Sequence, residues 1–318
     1  MLRTPVCELL EIDVPIVLAG MGGVSTAPLV AAVSECGGLG VIGGATMSPD
    51  ELRREIRATR ERTDKPFAVD LLAPRPDAIR PHMQVVYDED VRIFVAGLAV
   101  PDDFIEEMHA RGMTVIVMTG KVRHAEKAAA SGADVVVAQG TEAGGHTGEI
   151  GGMALVPQVV DAVDIPVLAA GGITDGRGIV AAMALGAQGA VIGTRFIATP
   201  EAQAAPSYRQ ALVERGSADT MRTRCYTGKP ARAIRNTYAE SWLGRETEIQ
   251  PFPAQVVHTM REGLMDYMGN LGDCDADRAF LPAGQGIGSI DAIRPAAEVF
   301  ADLVAEAERV ASGPPFGA

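Results

Sequence analysis

The sequence is short of positive charge. It contains 28 Lys and Arg residues against 41 Asp and Glu residues, which gives a net charge of −13 and a pI near 4.9. No run of basic residues interrupts this acidic balance. Because nucleic-acid affinity rests on Lys and Arg side chains that meet phosphates, the composition argues against a nucleic-acid partner. We expect a small-molecule substrate instead.

Cysteine and long apolar segments are scarce as well. The four cysteines, Cys7, Cys36, Cys225 and Cys274, include no CxxC pair, so unpaired thiols in a reducing cytoplasm are favoured over disulfides or a metal site. Acidic residues interrupt the amino-terminal segment, which does not resemble a signal peptide. No stretch approaches the roughly 20 apolar residues of a membrane helix. The sequence therefore predicts a cytoplasmic protein without a membrane partner, and a homodimer is compatible with it.

The apolar residues are arranged in eight short runs. The chain has 318 residues and is 47% hydrophobic, enough to bury a large core. Short runs rich in Val and Ile are typical of parallel strands that are buried on both faces. Segments of helical character separate most of them; Ser48, for example, is a good N-cap for a helix that begins at Pro49. The runs span residues 14–20, 39–44, 66–72, 91–97, 113–120, 134–140, 165–172 and 190–194.

Eight βα units in series predict an α/β fold, the TIM (β/α)8 barrel. A doubly wound open sheet is the alternative, but the number and spacing of the runs favour the barrel. Residues 1–199 would form this barrel. Residues 200–285, in which no further strand is clear, would form a helical insertion near the barrel mouth. Residues 286–318 would return to the barrel as a helix, over 296–310, and a tail.

Glycine is concentrated at the carboxyl ends of the predicted strands, the edge that carries the chemistry in a TIM barrel. Positions without side chains let a flat or bulky ligand approach the backbone. A turn explains a glycine at any single strand end, but it explains the whole set less well. The glycines concerned are Gly20, Gly22, Gly23, Gly43, Gly44, Gly140, Gly144, Gly145, Gly171, Gly172 and Gly193.

The loops after the last two predicted strands point to a phosphate. AAGGITDGRG (169–178) and VIGTRF (191–196) follow these strands, and the corresponding loops commonly bind phosphate in this fold. Free N–H groups at Gly171, Gly172, Gly193 and Thr194 can donate to a phosphate, helped by a helix N-terminus. Since no GxxxxGK[ST] segment is present, the site is not a P-loop.

His146 is the candidate for proton transfer. It lies in AQGTEAGGHTGE (138–149), directly after the sixth apolar run and therefore at the predicted mouth. An imidazole titrates near neutral pH and suits acid–base work. Glu142 either orients His146 or caps the loop through backbone N–H groups, and the second role is favoured. The remaining histidines, His82, His109, His124 and His258, fit structural or surface roles.

Four segments resemble the FMN-dependent nitronate monooxygenase family, formerly called 2-nitropropane dioxygenases. They are AGMGGVSTAPLVAAVSECGGLGVIGG (19–44), AQGTEAGGHTG (138–148), PVLAAGGITDGRG (166–178) and GTRF (193–196). YTGKPARAIRN (226–236) is also similar to a family feature. The same superfamily contains FMN-dependent enoyl-acyl-carrier-protein reductases and some NADH:quinone reductases. The resemblance covers about residues 5–200.

The resemblance implies an FMN-binding barrel with His146 as its catalytic residue. Asp70 stands where the family usually has Asn. An anionic Asp beside the flavin would disfavour the reduced, negatively charged ring, so Asp70 either faces elsewhere or tunes the potential. The implied cofactor contacts are Ala19, Gly20, Met21, Gly22, Asp70, Lys121, Gln139, Gly144, Gly145, Gly171, Gly172, Ile192, Gly193 and Thr194.

Side chains after residue 200 have two alternative roles. Aromatic and methionine residues there line a substrate pocket or, as is commoner, pack the segment against the barrel. The basic residues Lys229, Arg232 and Arg235 either reach an anionic substrate or form a solvated face. The first group comprises Tyr226, Trp242, Met260, Met265 and Met268.

The resemblance implies oxidation of alkyl nitronates by O₂ to a carbonyl compound and nitrite, with His146 as acid or base. In the alternative, NAD(P)H reduces the flavin, which passes a hydride to an enoyl thioester or a quinone while His146 donates a proton. A phosphate-binding lyase or synthase without redox chemistry is a third hypothesis. A non-catalytic flavin carrier is a fourth.

Overall fold

The architecture was obtained as a computed structural model, which describes residues 2–72, 76–269 and 272–313. Its strands are β1 (Ile16–Leu18), β2 (Gly40–Gly43), β3 (Phe67–Leu72), β4 (Ile93–Gly97), β5 (Thr114–Thr119), β6 (Val135–Gln139), β7 (Gly145–His146), β8 (Val167–Ala170), β9 (Ala190–Ile192), β10 (Thr220–Thr223) and β11 (Ala231–Ile234). Its helices are α1 (Pro5–Leu9), α2 (Ala27–Glu35), α3 (Pro49–Arg60), α4 (Pro76–Asp88), α5 (Ile105–Ala110), α6 (Val122–Ala130), α7 (Gly152–Ala162), α8 (Gly176–Ala184), α9 (Thr194–Ile197), α10 (Pro206–Glu214), α11 (Thr237–Glu240), α12 (Ala254–Arg261) and α13 (Ala296–Ser312).

Eight of these strands form one parallel sheet, and each of the eight apolar runs supplies one of them. The order around the sheet is β1-β9-β8-β6-β5-β4-β3-β2. The sheet closes on itself because Val17 of β1 pairs in parallel with Leu39, directly before β2. The predicted TIM barrel is confirmed, and the open-sheet alternative is wrong.

The helices of the outer ring follow local sequence signals. Helix α3 begins at a capping box, in which the Ser48 hydroxyl accepts from the Glu51 N–H and the Glu51 carboxylate accepts from the Ser48 N–H. Helix α13 packs against α8 and α2. The Glu306 carboxylate accepts a hydrogen bond from the Gly176 N–H at 2.9 Å and so ties α13 to the first turn of α8.

The barrel interior is filled by alternate residues of the strands. One buried cluster contains Val17, Val41, Ala68, Val95, Ile116, Val137, Leu168 and Val191, together with Val6 and Leu10, which bring α1 into contact with this core. Because strand side chains alternate between faces, the residues two positions further along also point inward and form the uppermost inner layer. This layer consists of Ala19, Gly43, Asp70, Gly97, Met118, Gln139, Ala170 and Gly193. It is built mainly of small residues, and Asp70 is its one ionisable group.

Residues 200–285, expected to form a helical insertion, contain strands as well as helices. The segment contains α10, α11 and α12, but also β10 and β11, which pair antiparallel with each other. Strand β11 pairs in turn with β7, and Ala231 lies opposite His146. Strands of two and four residues are too short to show an alternating pattern in the sequence. The pairing ties the segment to the loop that carries His146.

Three general features complete the fold. Over residues 2–72, 76–269 and 272–313, no helix is long and apolar enough to cross a membrane. In the same part of the chain no group of His, Cys, Asp or Glu side chains could hold a metal ion. All four cysteines are free thiols, and Cys7 and Cys225 are buried.

Candidate active site

Backbone segments meet closely at the carboxyl ends of the first and last barrel strands. The Ala19 N–H donates to the Ile192 carbonyl at 2.9 Å and joins the end of β1 to the end of β9. A Cβ atom on Gly193 would lie 3.2 Å from Ala19 Cβ, and a Cβ atom on Gly43 would overlap the Met21 carbonyl oxygen. Glycine is therefore required at residue 43, and the loop after β1 folds over the end of β2.

The loops after β6, β8 and β9 converge on one short segment near the carboxyl end of the chain. The Gly284 N–H donates to Thr194 Oγ1 at 3.0 Å, and the Gln285 N–H donates to the Glu142 carbonyl at 2.8 Å. A Cβ atom on Gly286 would lie 3.1 Å from the Gly172 carbonyl oxygen. This segment was not predicted as part of the site, although its three glycines in GQGIG (284–288) were a usable signal.

Gly171 and Gly172 shape the loop that follows β8. Both have left-handed φ angles, +103° and +72°, which other residues adopt only with strain. A Cβ atom on Gly171 would lie 3.1 Å from the Gly140 carbonyl oxygen, so this loop lies directly against the loop after β6. Helix α8 begins shortly afterwards, capped by Asp175, whose carboxylate accepts from the Gly178 N–H at 3.0 Å.

His146 is held by a hydrogen-bond chain from a distant part of the sequence. Its Nε2 atom lies 3.0 Å from Thr227 Oγ1. The Thr227 hydroxyl donates its single proton to the Lys229 carbonyl at 3.1 Å, so toward His146 it can only accept. On this hydrogen-bond pattern we assign the proton of the neutral imidazole to Nε2, which leaves the lone pair on Nδ1. Among the described residues, none makes a hydrogen bond to Nδ1, which leaves it open to a substrate.

Burial lowers the pKa of His146 to about 4, and the nearby positive charge of Lys229 acts in the same direction. The imidazole is half-buried in a loop where its charged form would lose water contacts. At neutral pH it is consequently uncharged. An uncharged imidazole with a free ring nitrogen can accept a proton, and a pKa of about 4 makes it a weak base.

The three basic residues singled out in the sequence have different environments. Lys229 lies close enough to influence His146, and its ammonium group is 4.6 Å from the centre of the Phe252 ring. Arg232 is buried and donates to the Thr141 carbonyl at 2.9 Å, so it braces the loop that carries His146. Arg235 is exposed and pairs with Glu240 at 3.7 Å. Lys229 alone of the three combines accessibility with proximity to the imidazole.

Glu142 caps a helix. Both of its carboxylate oxygens accept from the Gly152 N–H at 3.0 Å, at the start of α7. A carboxylate at a helix N-terminus also compensates the helix dipole. The favoured interpretation of Glu142 as a structural residue agrees with this geometry, and His146 is oriented by Thr227 instead.

Asp70 points into the top of the barrel. Its side chain is 9% exposed, and Oδ1 has no hydrogen-bond partner. Burial raises its pKa to about 8, while the Gly97 amide favours the charged form and opposes the shift only in part. A Cβ atom on Gly20 would overlap Asp70 Oδ2, so the carboxyl group is directly below the loop after β1.

The remaining candidates divide between the mouth and the packing of the insertion. Gln139 ends β6 and is half-buried, and Lys121 is the N-cap residue of α6 directly after β5. Tyr226 is buried and donates to Asn236 Oδ1 at 2.8 Å, so it packs the insertion. Met268 packs on the barrel, because a Cβ atom on Gly23 would overlap its sulfur atom.

These features fit a flavin nucleotide. The uppermost inner layer offers a floor of small residues with one unpartnered carboxyl oxygen, that of Asp70. The glycine loops after β8 and β9 offer backbone N–H donors of the kind that hold a phosphate. Gly145 has nothing within 4 Å of an added Cβ atom, so space is open above the loop next to His146.

The fold is a TIM barrel, and the candidate site lies at the carboxyl edge of its strands, where TIM-barrel enzymes carry their chemistry. The family described as nitronate monooxygenase matches residues 3–84 and 78–306. The chain therefore belongs to the nitronate monooxygenase family and is an oxidoreductase of that family.

Individual relatives differ in the activity that their names describe. A hydroxy-methyl-oxo-octahydroindene-carboxyl-CoA dehydrogenase of Rhodococcus jostii is 43% identical over 241 residues, which are 76% of this chain and 68% of that protein. The structure of FabK from Thermotoga maritima has a TM-score of 0.89 and 38% identity, covering 97% of both chains. Nitroalkane oxidase from Streptomyces ansochromogenes has a TM-score of 0.86 and 32% identity, covering 98% of this chain and 100% of the other.

Proposed function

We propose that the protein is an FMN-dependent oxidoreductase that oxidises alkyl nitronates with O₂ to a carbonyl compound and nitrite. The observation that carries the proposal is the state of His146, an uncharged imidazole whose Nδ1 is free beside an open space. Bound FMN would accept electrons from the substrate carbon and pass them to O₂. The family as a whole is generally flavin-dependent, which supports the choice of cofactor.

The chain's own residues would hold the cofactor in two places. Backbone N–H groups of Gly171, Gly172, Gly193 and Thr194 would bind the phosphate. The ring would lie over the inner layer, against loop backbone at the mouth. The residues proposed for the ring contacts are Ala19, Gly20, Met21, Gly22, Asp70, Lys121, Gln139, Gly144, Gly145 and Ile192.

His146 and Lys229 would act on the substrate. His146 Nδ1 would take the α-proton from a neutral nitroalkane, and Thr227 would keep the imidazole in the tautomer that allows it. Lys229 would attract the nitronate anion to the same place. The site would also hold the reactive carbon of the substrate against the flavin ring.

A thioester substrate is the second candidate, because the Rhodococcus jostii relative is named for dehydrogenation of a carboxyl-CoA compound. An uncharged His146 also suits removal of a proton next to a thioester carbonyl. It suits the opposite reaction less well, since a reductase that uses NAD(P)H needs a proton donor at this position. The tautomer with an unprotonated Nδ1 supports oxidation of the substrate, in which His146 would accept a proton.

The test is an anaerobic flavin reduction. The FMN-loaded protein is mixed separately with ethyl nitronate, NADH, NADPH and an acyl-CoA thioester, and the visible flavin band is followed. We expect rapid bleaching by the nitronate and slow or no bleaching by either nicotinamide. Rapid bleaching by a nicotinamide would overturn the proposal in favour of a reductase. Rapid bleaching by the thioester alone would identify a thioester dehydrogenase.

A further inference from the structure

Asp70 occupies an unusual position for a carboxyl group. It lies on β3 in the uppermost inner layer of the barrel, with Gly43 of β2 directly opposite in the strand register and Val95 of β4 on its other side. Gly20 and Gly97 lie against its side chain. Among the described residues none of these neighbours is charged, and no charged side chain contributes to the shift in the pKa of Asp70.

The carboxyl group is also incompletely satisfied. Oδ1 is buried and has no hydrogen-bond partner. Leaving a buried polar atom unpaired costs free energy, and such atoms in native proteins commonly face a missing ligand or water. Because Gly20 and Gly97 have no side chains, the backbone of both residues lies close to the carboxyl and no side chain covers it from these positions. Asp70 is therefore arranged to meet something that enters the mouth of the barrel.

We propose that Asp70 enters the flavin site as a neutral carboxylic acid and donates its proton in a hydrogen bond to an acceptor atom of the flavin ring. The inference rests on the proposed FMN dependence. A neutral acid in an apolar site is a good hydrogen-bond donor, whereas an anion would repel the electron-rich edge of the ring and the negative charge that reduction adds. The pKa of about 8 agrees with a neutral group at pH 7, and its causes include no charged residue.

The experiment measures FMN affinity as a function of pH. Apoprotein is titrated with FMN between about pH 6 and pH 10, with flavin fluorescence as the readout, for wild type, Asp70→Asn and Asp102→Asn. The side-chain amide that Asp70→Asn introduces is a donor at every pH in this range. Asp102 is an exposed carboxylate paired with Lys127 and serves as a control for loss of one negative charge.

We expect wild-type affinity to fall with pH above the Asp70 pKa, approaching tenfold per pH unit, because binding then requires uptake of a proton. Asp70→Asn should lack this component, and Asp102→Asn should follow wild type. The FMN phosphate and ring titrate equally in all three proteins, so the difference between the curves isolates Asp70. Parallel curves for wild type and Asp70→Asn would overturn the inference, as would tighter wild-type binding at high pH.

A second measurement covers the case in which the variant does not fold, and one outcome separates this inference from the proposed function. If Asp70→Asn does not fold, isotope-edited infrared spectra of the wild-type FMN complex replace it. A protonated aspartate carbonyl band at pH 7 that shifts on FMN binding supports the inference, and its absence overturns it. Failure of folded wild type to bind FMN at any pH would reject the proposed function itself, and this inference with it.

Discussion

At the residue scale, the role of His146 is tested by separating substrates that need a base from one that does not. His146→Ala should lower kcat/KM for a neutral nitroalkane by about 10²–10⁴-fold, the usual contribution of general base catalysis, and affect the preformed nitronate anion much less. The flavin content should not change, because residue 146 pairs with Ala231 through its backbone. The exposed His124→Ala is the matched control.

Equal losses for the two substrates would contradict a base role, and so would lost flavin with unchanged activity per bound flavin. The pH profile gives an independent check. Since the pKa of His146 is lowered to about 4 by burial and by Lys229, the base is present throughout pH 5–8. Nitroalkane oxidation should therefore decline only as the pH falls through about 4. A decline centred near 6.5 would mean that the imidazole is solvated.

Thr227 is expected to act through His146. Thr227→Val removes the acceptor of the Nε2 proton while keeping the side-chain volume. Loss of one hydrogen bond of about 0.5–1.5 kcal/mol should lower kcat with nitroalkane by about 2- to 10-fold, with little change in KM, and Thr227→Ser should restore it. Nitrogen NMR of the imidazole should show one tautomer in wild type and a mixture in Thr227→Val. An unchanged tautomer would leave Thr227 a purely structural role.

At the scale of elements, the barrel strands could be predicted from the sequence, whereas the contacts that hold the loops at the barrel mouth could not. Each barrel strand is a buried parallel strand and leaves a continuous apolar run. In contrast, β7 has two residues, and its pairing with β11 joins segments about 85 residues apart in the chain. Thr227 could not be assigned to His146 for the same reason. Such contacts depend on tertiary structure and leave no local periodicity.

The proposed contribution of the segment 284–288 to the cofactor site can be tested by adding a side chain at one of its glycines. A Cβ atom on Gly284 would lie 2.8 Å from the Glu142 carbonyl oxygen and 3.2 Å from the Gly144 nitrogen. Because these are backbone atoms, Gly284→Ala should push the segment away from the phosphate loops and raise the FMN dissociation constant at least about tenfold, equivalent to about 1.4 kcal/mol. Isothermal titration calorimetry measures this change.

Gly216→Ala is the matched control, because an added Cβ atom there has its nearest contact at 3.6 Å, with Asp219. It should bind FMN like wild type. If Gly284→Ala also bound FMN like wild type and stayed folded, the segment would not contribute to the cofactor site.

At the scale of the whole molecule, Asp70 is expected to make folding stability depend on pH. The carboxyl has a pKa of about 8 when buried, against an ordinary value of 3.8, so between these limits the folded state holds a proton that the unfolded state has lost. The contribution of Asp70 to the free energy of unfolding must then fall as the pH rises, by up to about 1.4 kcal/mol per pH unit. Asp70→Asn removes this penalty.

Apoprotein of Asp70→Asn should therefore be more stable than wild type at pH 7, and its advantage should shrink steadily toward pH 4. Urea unfolding of both proteins at pH 5, 6 and 7 measures the difference, from which all other titrating groups cancel. Asp102→Asn should be slightly less stable than wild type at pH 7, and this small loss should shrink toward pH 4. The reason is that the hydrogen bond from Lys127 lowers the pKa of that exposed carboxyl. An Asp70→Asn advantage independent of pH would mean that Asp70 ionises alike in the folded and unfolded chain. In that case the uppermost layer of the barrel admits water, and the carboxyl is available to a ligand only as an anion.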